Sequence, residues 1–161
     1  ETVGALASEA EPFVGDVHEN YRTQFADADG FDLRRPALSE TLATLADELG
    51  EAVADEFEQA LAGADRVVGL DAVVGLLVVV TARHDGLLYD LSQWSENVGL
   101  ASKATVSRRK TRLEDTGLIE TEKQPVDVGR PRLRLVVNSD SELAEATPEE
   151  LWALTREHVS E

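Results

Sequence analysis

The sequence predicts a mainly α-helical protein with a small β-hairpin wing: a winged helix-turn-helix preceded by an acidic helical region. Three observations carry this expectation. Three helical segments follow one another over 72–84, 87–97 and 101–117, and Val98-Gly99-Leu100 supplies a tight turn before the third. Two short strand-like runs then flank a tip rich in turn residues, Pro125-Val-Asp-Val-Gly-Arg-Pro131. Finally, positive charge is concentrated in this part of an otherwise acidic chain.

The chain before that region is helical and acidic. From Pro12, which suits a first helical position, apolar residues recur at Phe13, Val17, Tyr21 and Phe25 and mark one buried stripe. Residues 26–36 read as a loop. Its Asp27-Ala-Asp29-Gly30 resembles a calcium loop only superficially, because Phe25 and Pro36 would fall on the first and last ligand positions. Ser39 is expected to cap a helix with Leu42, Leu45 and Leu49 inward, closed by Gly50. A second helix follows with Val53, Phe57 and Leu61 inward and ends near Gly63, giving an αα-hairpin.

Asp71 is expected to cap the helix 72–84, which is apolar on nearly every side and therefore central. Gly86 breaks it. The next helix places Leu88, Leu91 and Trp94 or Ser95 on one side. In the third helix Ser102 is the expected N-cap and Gly117 the left-handed stop. With Val106 pointing inward, 100° per residue turns Leu113 inward too, and Ala104, Ser107, Arg108, Thr111 and Arg112 outward. Lys110 falls where its stem must pack while its ammonium escapes.

Leu118 and Ile119 lead into a strand reaching about Gln124, and Arg132-Leu-Arg-Leu-Val-Val137 alternates as a second strand should. Residues 139–145 read as a polar linker. Thr147-Pro148-Glu149-Glu150 is a capping box that opens a last helix with Leu151, Trp152, Leu154 and Val159 largely apolar. Three segments are therefore expected: an acidic helical region over 1–66, the winged helix over 67–138, and a linker with a terminal helix over 139–161.

Charge and composition narrow the function. The net charge is −17, with 32 acids against 15 cations. Residues 98–136 reverse that balance: nine cations meet five acids, leaving the rest of the chain at −21. A basic island on an acidic body is a local footprint for a polyanion. Twelve of the cations are Arg, and the chain is rich in Ala and Val, a composition that suggests a halophile's salt-filled cytoplasm. No cysteine is present, so disulfides and cysteine zinc sites are excluded. Val73–Val80 is too short to span a bilayer, and the acidic start is no signal peptide. The absence of Met leads to the expectation that the chain is a piece of a longer protein.

The outward face of the third helix is small, hydroxylated and cationic, and it lacks a carboxylate between residues 104 and 112. Such a face fits a major groove, where Arg pairs with a guanine edge and Thr or Ala meets a thymine methyl. Ser107, Arg108, Thr111 and Arg112 are the expected base readers, and Lys103, Thr105 and Arg109 the expected phosphate contacts. At the hairpin tip Gly129 allows close backbone approach and Pro131 stiffens the exit. Arg130 and Arg132 there supply a wing contact suited to a narrow minor groove. No enzyme is expected: His18, His84 and His158 lie far apart, and no phosphate loop, nucleophile elbow or zinc signature occurs. No cofactor or metal is expected either.

The stretch Leu87-Leu-Tyr-Asp-Leu-Ser-Gln-Trp-Ser-Glu-Asn-Val-Gly-Leu-Ala-Ser-Lys-Ala-Thr-Val-Ser-Arg-Arg-Lys-Thr-Arg-Leu-Glu-Asp-Thr-Gly-Leu-Ile119, with Val126-Asp-Val-Gly-Arg-Pro-Arg-Leu-Arg-Leu135, resembles the TrmB-suppressor (TbsP) family of haloarchaeal transcriptional regulators. Phe31-Asp-Leu-Arg34 and Leu38-Ser39 resemble the region that precedes that family's winged helix. The resemblance implies a DNA-binding regulator of central carbon metabolism genes, with an N-terminal region absent from this chain. The expected partner is double-stranded DNA in the cytoplasm, at the nucleoid, bound by a homodimer on a two-fold site; no small-molecule effector can be named from the sequence. The competing expectations are an architectural chromatin protein without sequence preference and a winged helix that meets an acidic protein instead.

Overall fold

In the computed structural model of the chain, the described residues are 37–64, 69–126 and 131–159. The expected stripe Phe13–Phe25, the loop 26–36 and the wing residues Gly129 and Arg130 lie outside them.

The first helices form the expected antiparallel pair. Helix α1 spans Leu38–Leu49 and α2 spans Glu51–Ala62, separated by Gly50 at φ 103°. That left-handed backbone is the reason a glycine stands there. Leu45, Val53, Phe57 and Ala60 are buried between them and the rest of the molecule. The start differs from expectation: Ala37 holds the extended cap position and Ser39 lies inside the first turn. The Thr41 hydroxyl donates back to the Ala37 carbonyl and so does not replace an accepting cap.

Helix α3, Leu70–Arg83, is the central element, with ten consecutive-to-near-consecutive residues from Ala72 to Ala82 buried. Its N-cap is Gly69, and Asp71 makes no cap; that carboxylate is spent on another helix. The close packing of α3 is visible at Gly75, where an added Cβ would stand 2.8 Å from a Val159 methyl. Beyond α3, Asp85 adopts φ 55°, and Gly86 has no room for a Cβ, which would fall 2.5 Å from the Thr81 methyl. This corner turns the chain so that Leu87 bridges Arg134 and the Gly86 carbonyl accepts from the Leu135 amide. The hairpin thus gains a third edge residue that strand alternation did not reveal.

Helix α4, Leu88–Asn97, buries Leu91, Trp94 and Ser95. The Trp94 indole donates to the Thr44 hydroxyl of α1 at 3.2 Å, joining the acidic region to the helix-turn-helix. The turn to α5, Lys103–Asp115, runs through Gly99 at φ 70°, and the Ser95 hydroxyl donates to the Ala101 carbonyl. Helix α5 stops as expected at Gly117, φ 73°. The Gly117 amide reaches the Glu114 carbonyl and the Leu118 amide the Leu113 carbonyl, the hydrogen-bond pattern of a Schellman stop.

Strands β1, Ile119–Gln124, and β2, Arg132–Val137, pair antiparallel with Ile119 opposite Val137 and Gln124 opposite Arg132. The expected polar linker carries an apolar anchor. A 3₁₀ turn, Glu142–Ala144, buries Leu143, whose carbonyl accepts from Arg83 at 2.6 Å. Helix α6, Pro148–Val159, opens on the expected capping box: one Glu150 carboxylate oxygen accepts from the Thr147 amide and hydroxyl. Those bonds hold the Glu150 carboxyl below the usual carboxylate range.

Helix α6 packs on α2, α3 and α5, and residues from Leu45 to Val159 share one hydrophobic core. Over the described residues the segments 1–66, 67–138 and 139–161 are therefore not separate packing units. Leu45, Phe57, Leu151 and Val159 are buried inside this core. Among the described residues no helix is long and apolar enough to cross a membrane.

Candidate nucleic-acid interface

The rotation of α5 is set by what it buries. Val106 and Leu113 are 1% and 0% exposed, packed with the core around α3. Ala104, Ser107, Arg108, Thr111 and Arg112 are consequently exposed together, the arrangement expected from the 100° rule. Ser102 starts the helix, its hydroxyl accepting from the Thr105 amide at 3.2 Å. The Thr105 hydroxyl lies 3.1 Å from that of Ser102, so Thr105 is half-buried and engaged in the cap.

Lys103 is exposed at the entry of α5, and its ammonium is held by Gln93 at 2.9 Å and by Glu96 at 3.2 Å. These contacts fix the N-terminus of α5 to α4. Sequence reasoning did not identify Gln93 or Glu96, although both follow from the one-turn geometry of the Gly99 connection.

Arg109 does not share the outward face. It is only 9% exposed, and its guanidinium reaches Asp71 of α3 at 2.5 Å and the Val159 carbonyl of α6 at 3.4 Å. The expectation that it meets phosphate is corrected on this ground: three residues from Val106, it shares the inward half of the helix. Arg112, on the outward face, donates from Nε to the His158 carbonyl at 3.2 Å. Lys110 is half-buried, and its ammonium pairs with Glu114 one turn later instead of reaching open solvent. Glu114 also accepts from the Thr121 hydroxyl of β1, so one carboxylate clasps the end of α5 to the wing.

The wing rises beside α4. Between α4, the first half of α5 and the base of the wing lies a groove of about 620 Å³, lined by Tyr89, Ser92, Lys103, Ser107, Pro131 and Arg132 among others. The Arg132 guanidinium stands 4.8 Å from the centre of the Tyr89 ring, a cation–π distance, and 3.7 Å from Asp90. Arg134 points instead to Glu122 across the hairpin, and that hydrogen bond and charge raise its pKa above the ordinary value. Arg130, the other expected wing cation, lies outside the described residues.

Tyr89 is the residue the sequence reading missed. It is 53% exposed, and it lies off the Leu88–Leu91–Trp94 stripe. An aromatic residue on the polar side of a short helix was the available signal. Among the described residues no cluster of three or more His, Cys, Asp or Glu side chains could hold a metal ion. The surface instead offers hydroxyls, guanidinium groups and one ammonium around a groove and a convex helix face, which suits a backbone polyanion with base edges beside it.

A family model described as "Transcriptional regulator TbsP-like, C-terminal HTH domain" matches residues 37–156, from the cap of α1 into the last turns of α6. No curated protein and no solved structure matches the chain.

The Glu114 clasp makes a stability prediction. Glu114→Ala leaves a half-buried ammonium without its counter-charge and a Thr121 hydroxyl without its acceptor. It should cost about 1–3 kcal/mol in urea unfolding. Adding Lys110→Met should recover much of that loss, because the stem still packs and the stranded charge is gone. Equal midpoints for wild type and Glu114→Ala would show that the clasp holds nothing.

Proposed function

Because this chain belongs to the TbsP-like transcriptional regulators through their C-terminal helix-turn-helix domain, we propose that it recognises specific DNA sequences with the outward face of α5. Ser107, Arg108, Thr111 and Arg112 read base edges, and Lys103 and Thr105 sit at the phosphates. Arg132 and Arg130 make the wing contact, Arg132 from its seat on Tyr89. The observation that carries this reading is the common exposure of five small, hydroxylated or cationic side chains on one face of a helix whose other face is locked in the core. Arg109, turned inward, has no direct part in it.

A homodimer on a two-fold site belongs to the same proposal. Its interface does not use the stripes of Leu45, Phe57, Leu151 and Val159, which are buried within this unit. The regulated genes are those of central carbon metabolism, and the host is a halophilic archaeon in whose cytoplasm the protein meets the chromosome. The resemblance of residues 87–135 supports the first statement, and the acid-rich, Lys-poor composition supports the second.

Selection from a random duplex pool tests the recognition. The chain should enrich one motif, and Arg108→Ala should lose about 1–3 kcal/mol on that motif and relax one base position. If Arg108→Ala weakens motif and random DNA equally, Arg108 touches phosphate and the base-reading assignment fails.

Salt tests the setting. Phosphate contacts lose affinity with a log–log slope of roughly −0.9 per contact. The acidic remainder, at −21, repels DNA when the Debye length is long, and that length falls to about 3 Å at 1 M. Affinity for the enriched motif should therefore vary little, or rise, between about 0.5 and 2 M KCl. A steep monotonic loss, as for six or more released ions, would show that phosphate charge dominates.

A further inference from the structure

Two cations line the groove between α4, α5 and the wing, and each is held by a carboxylate of α4. The Lys103 ammonium lies 3.2 Å from Glu96 and donates to the Gln93 side-chain oxygen at 2.9 Å. The Gln93 amide nitrogen in turn donates to Asn97 at 2.9 Å, which fixes the direction of that oxygen. Across the groove the Arg132 guanidinium, seated on Tyr89, lies 3.7 Å from Asp90. All four charged side chains are between 37% and 49% exposed, so phosphate and dissolved ions can both reach them.

We propose that Asp90 and Glu96 are built-in counter-ions of the phosphate-contacting cations, and that they set the salt dependence of DNA binding by exchanging partners. The proposal rests on the DNA-reading function above. When a cation that waits in water meets phosphate, the duplex releases about one condensed counter-ion. A cation that waits on a carboxylate releases the same ion, but its carboxylate loses a partner and is left beside a polyanion. That carboxylate takes up a potassium ion from solution. Release from the DNA and uptake by the protein offset each other, so the contact forms with little dependence on salt. Exposed ion pairs of this kind are weak enough for phosphate to displace. The mechanism is local to Asp90 and Glu96, whereas the field of the acidic body sums over acids wherever they stand. Neutralising either carboxylate leaves Lys103 or Arg132 in water and strands no charge in the core.

The test measures the affinity of the whole chain for the duplex it enriches, at several KCl concentrations between about 0.5 and 2 M, with circular dichroism at each salt to verify the fold. Asp90→Asn/Glu96→Gln removes both counter-ions and keeps the side-chain shapes. Its log–log slope should be steeper than that of the wild type by about 1–2, because each contact now releases roughly 0.9 ion without uptake. Over this range of salt the variant should bind roughly four- to sixteenfold tighter at 0.5 M and approach the wild type near 2 M. Asp90→Asn and Glu96→Gln alone should each give about half the change in slope. Asp55→Asn/Glu58→Gln makes the same charge change at exposed positions of α2 and should leave the slope near the wild-type value. Lys103→Met should hardly move the slope of the wild type, and should flatten that of Glu96→Gln. An unchanged slope in Asp90→Asn/Glu96→Gln, or equal steepening in the α2 variant, overturns the counter-ion assignment while the DNA reading stands. A wild-type chain that enriches no sequence overturns the DNA reading, and this proposal with it.

Discussion

The burial of Val106 and Leu113 against the central helix α3 is the constraint on which the rest depends. Two apolar side chains seven residues apart leave α5 one rotational setting. Turning the helix by one residue would expose Leu113 and Val106 and drive cationic side chains into a core of Leu and Val. Burying an unpaired charge there costs far more than any surface contact returns. The face of Ser107, Arg108, Thr111 and Arg112 is therefore chosen by packing before any partner is present. The same packing explains why α3 is apolar on every side: α2, α4, α5, α6 and β2 all lean on it.

Charge is sorted by that setting. Among the described cations of the basic island, two groups stand out. Arg109, Lys110 and Arg134 are paired with Asp71, Glu114 and Glu122 and brace α5 against α3, its own last turn and the wing against itself. Arg108 and Arg132 stand at the surface, the latter shelved on Tyr89. A count of charges over residues 98–136 treats both groups alike. The structure divides them, and the bracing cations keep the exposed ones in a constant place. Acid outside residues 98–136 enters this arrangement through Asp71, Asp90 and Glu96, and the remaining acid adds to the surrounding field.

Periodicity made the helices legible, because each buries one face and the repeat of 3.6 is written in its apolar residues. The Gly99 and Gly117 stops, the Ser102 cap and the Thr147–Glu150 box were legible because each rests on a bond within four residues. The exposed face of α5 followed from Val106 alone. Contacts between distant segments were not legible. Nothing near Asp71 in sequence announces Arg109, so a carboxylate at a helix start was read as a cap. Leu143 was lost in a polar stretch because a single anchor has no period. Arg109 was misread because an arginine's destination depends on whether an acceptor waits inside, and here the acceptors come from α3 and α6.

The central claim is that the outward face of α5 lies against base edges, and the absence of native cysteine permits a direct measurement. Ser107→Cys, carrying a short photo-crosslinker, places the probe on that face; Glu58→Cys, exposed on α2, places the same probe on the acidic region. With the enriched duplex, the account predicts crosslinks from position 107 to bases inside the motif and only background from position 58. Efficient crosslinking from position 58, or crosslinks from 107 scattered over flanking DNA without regard to the motif, would contradict it.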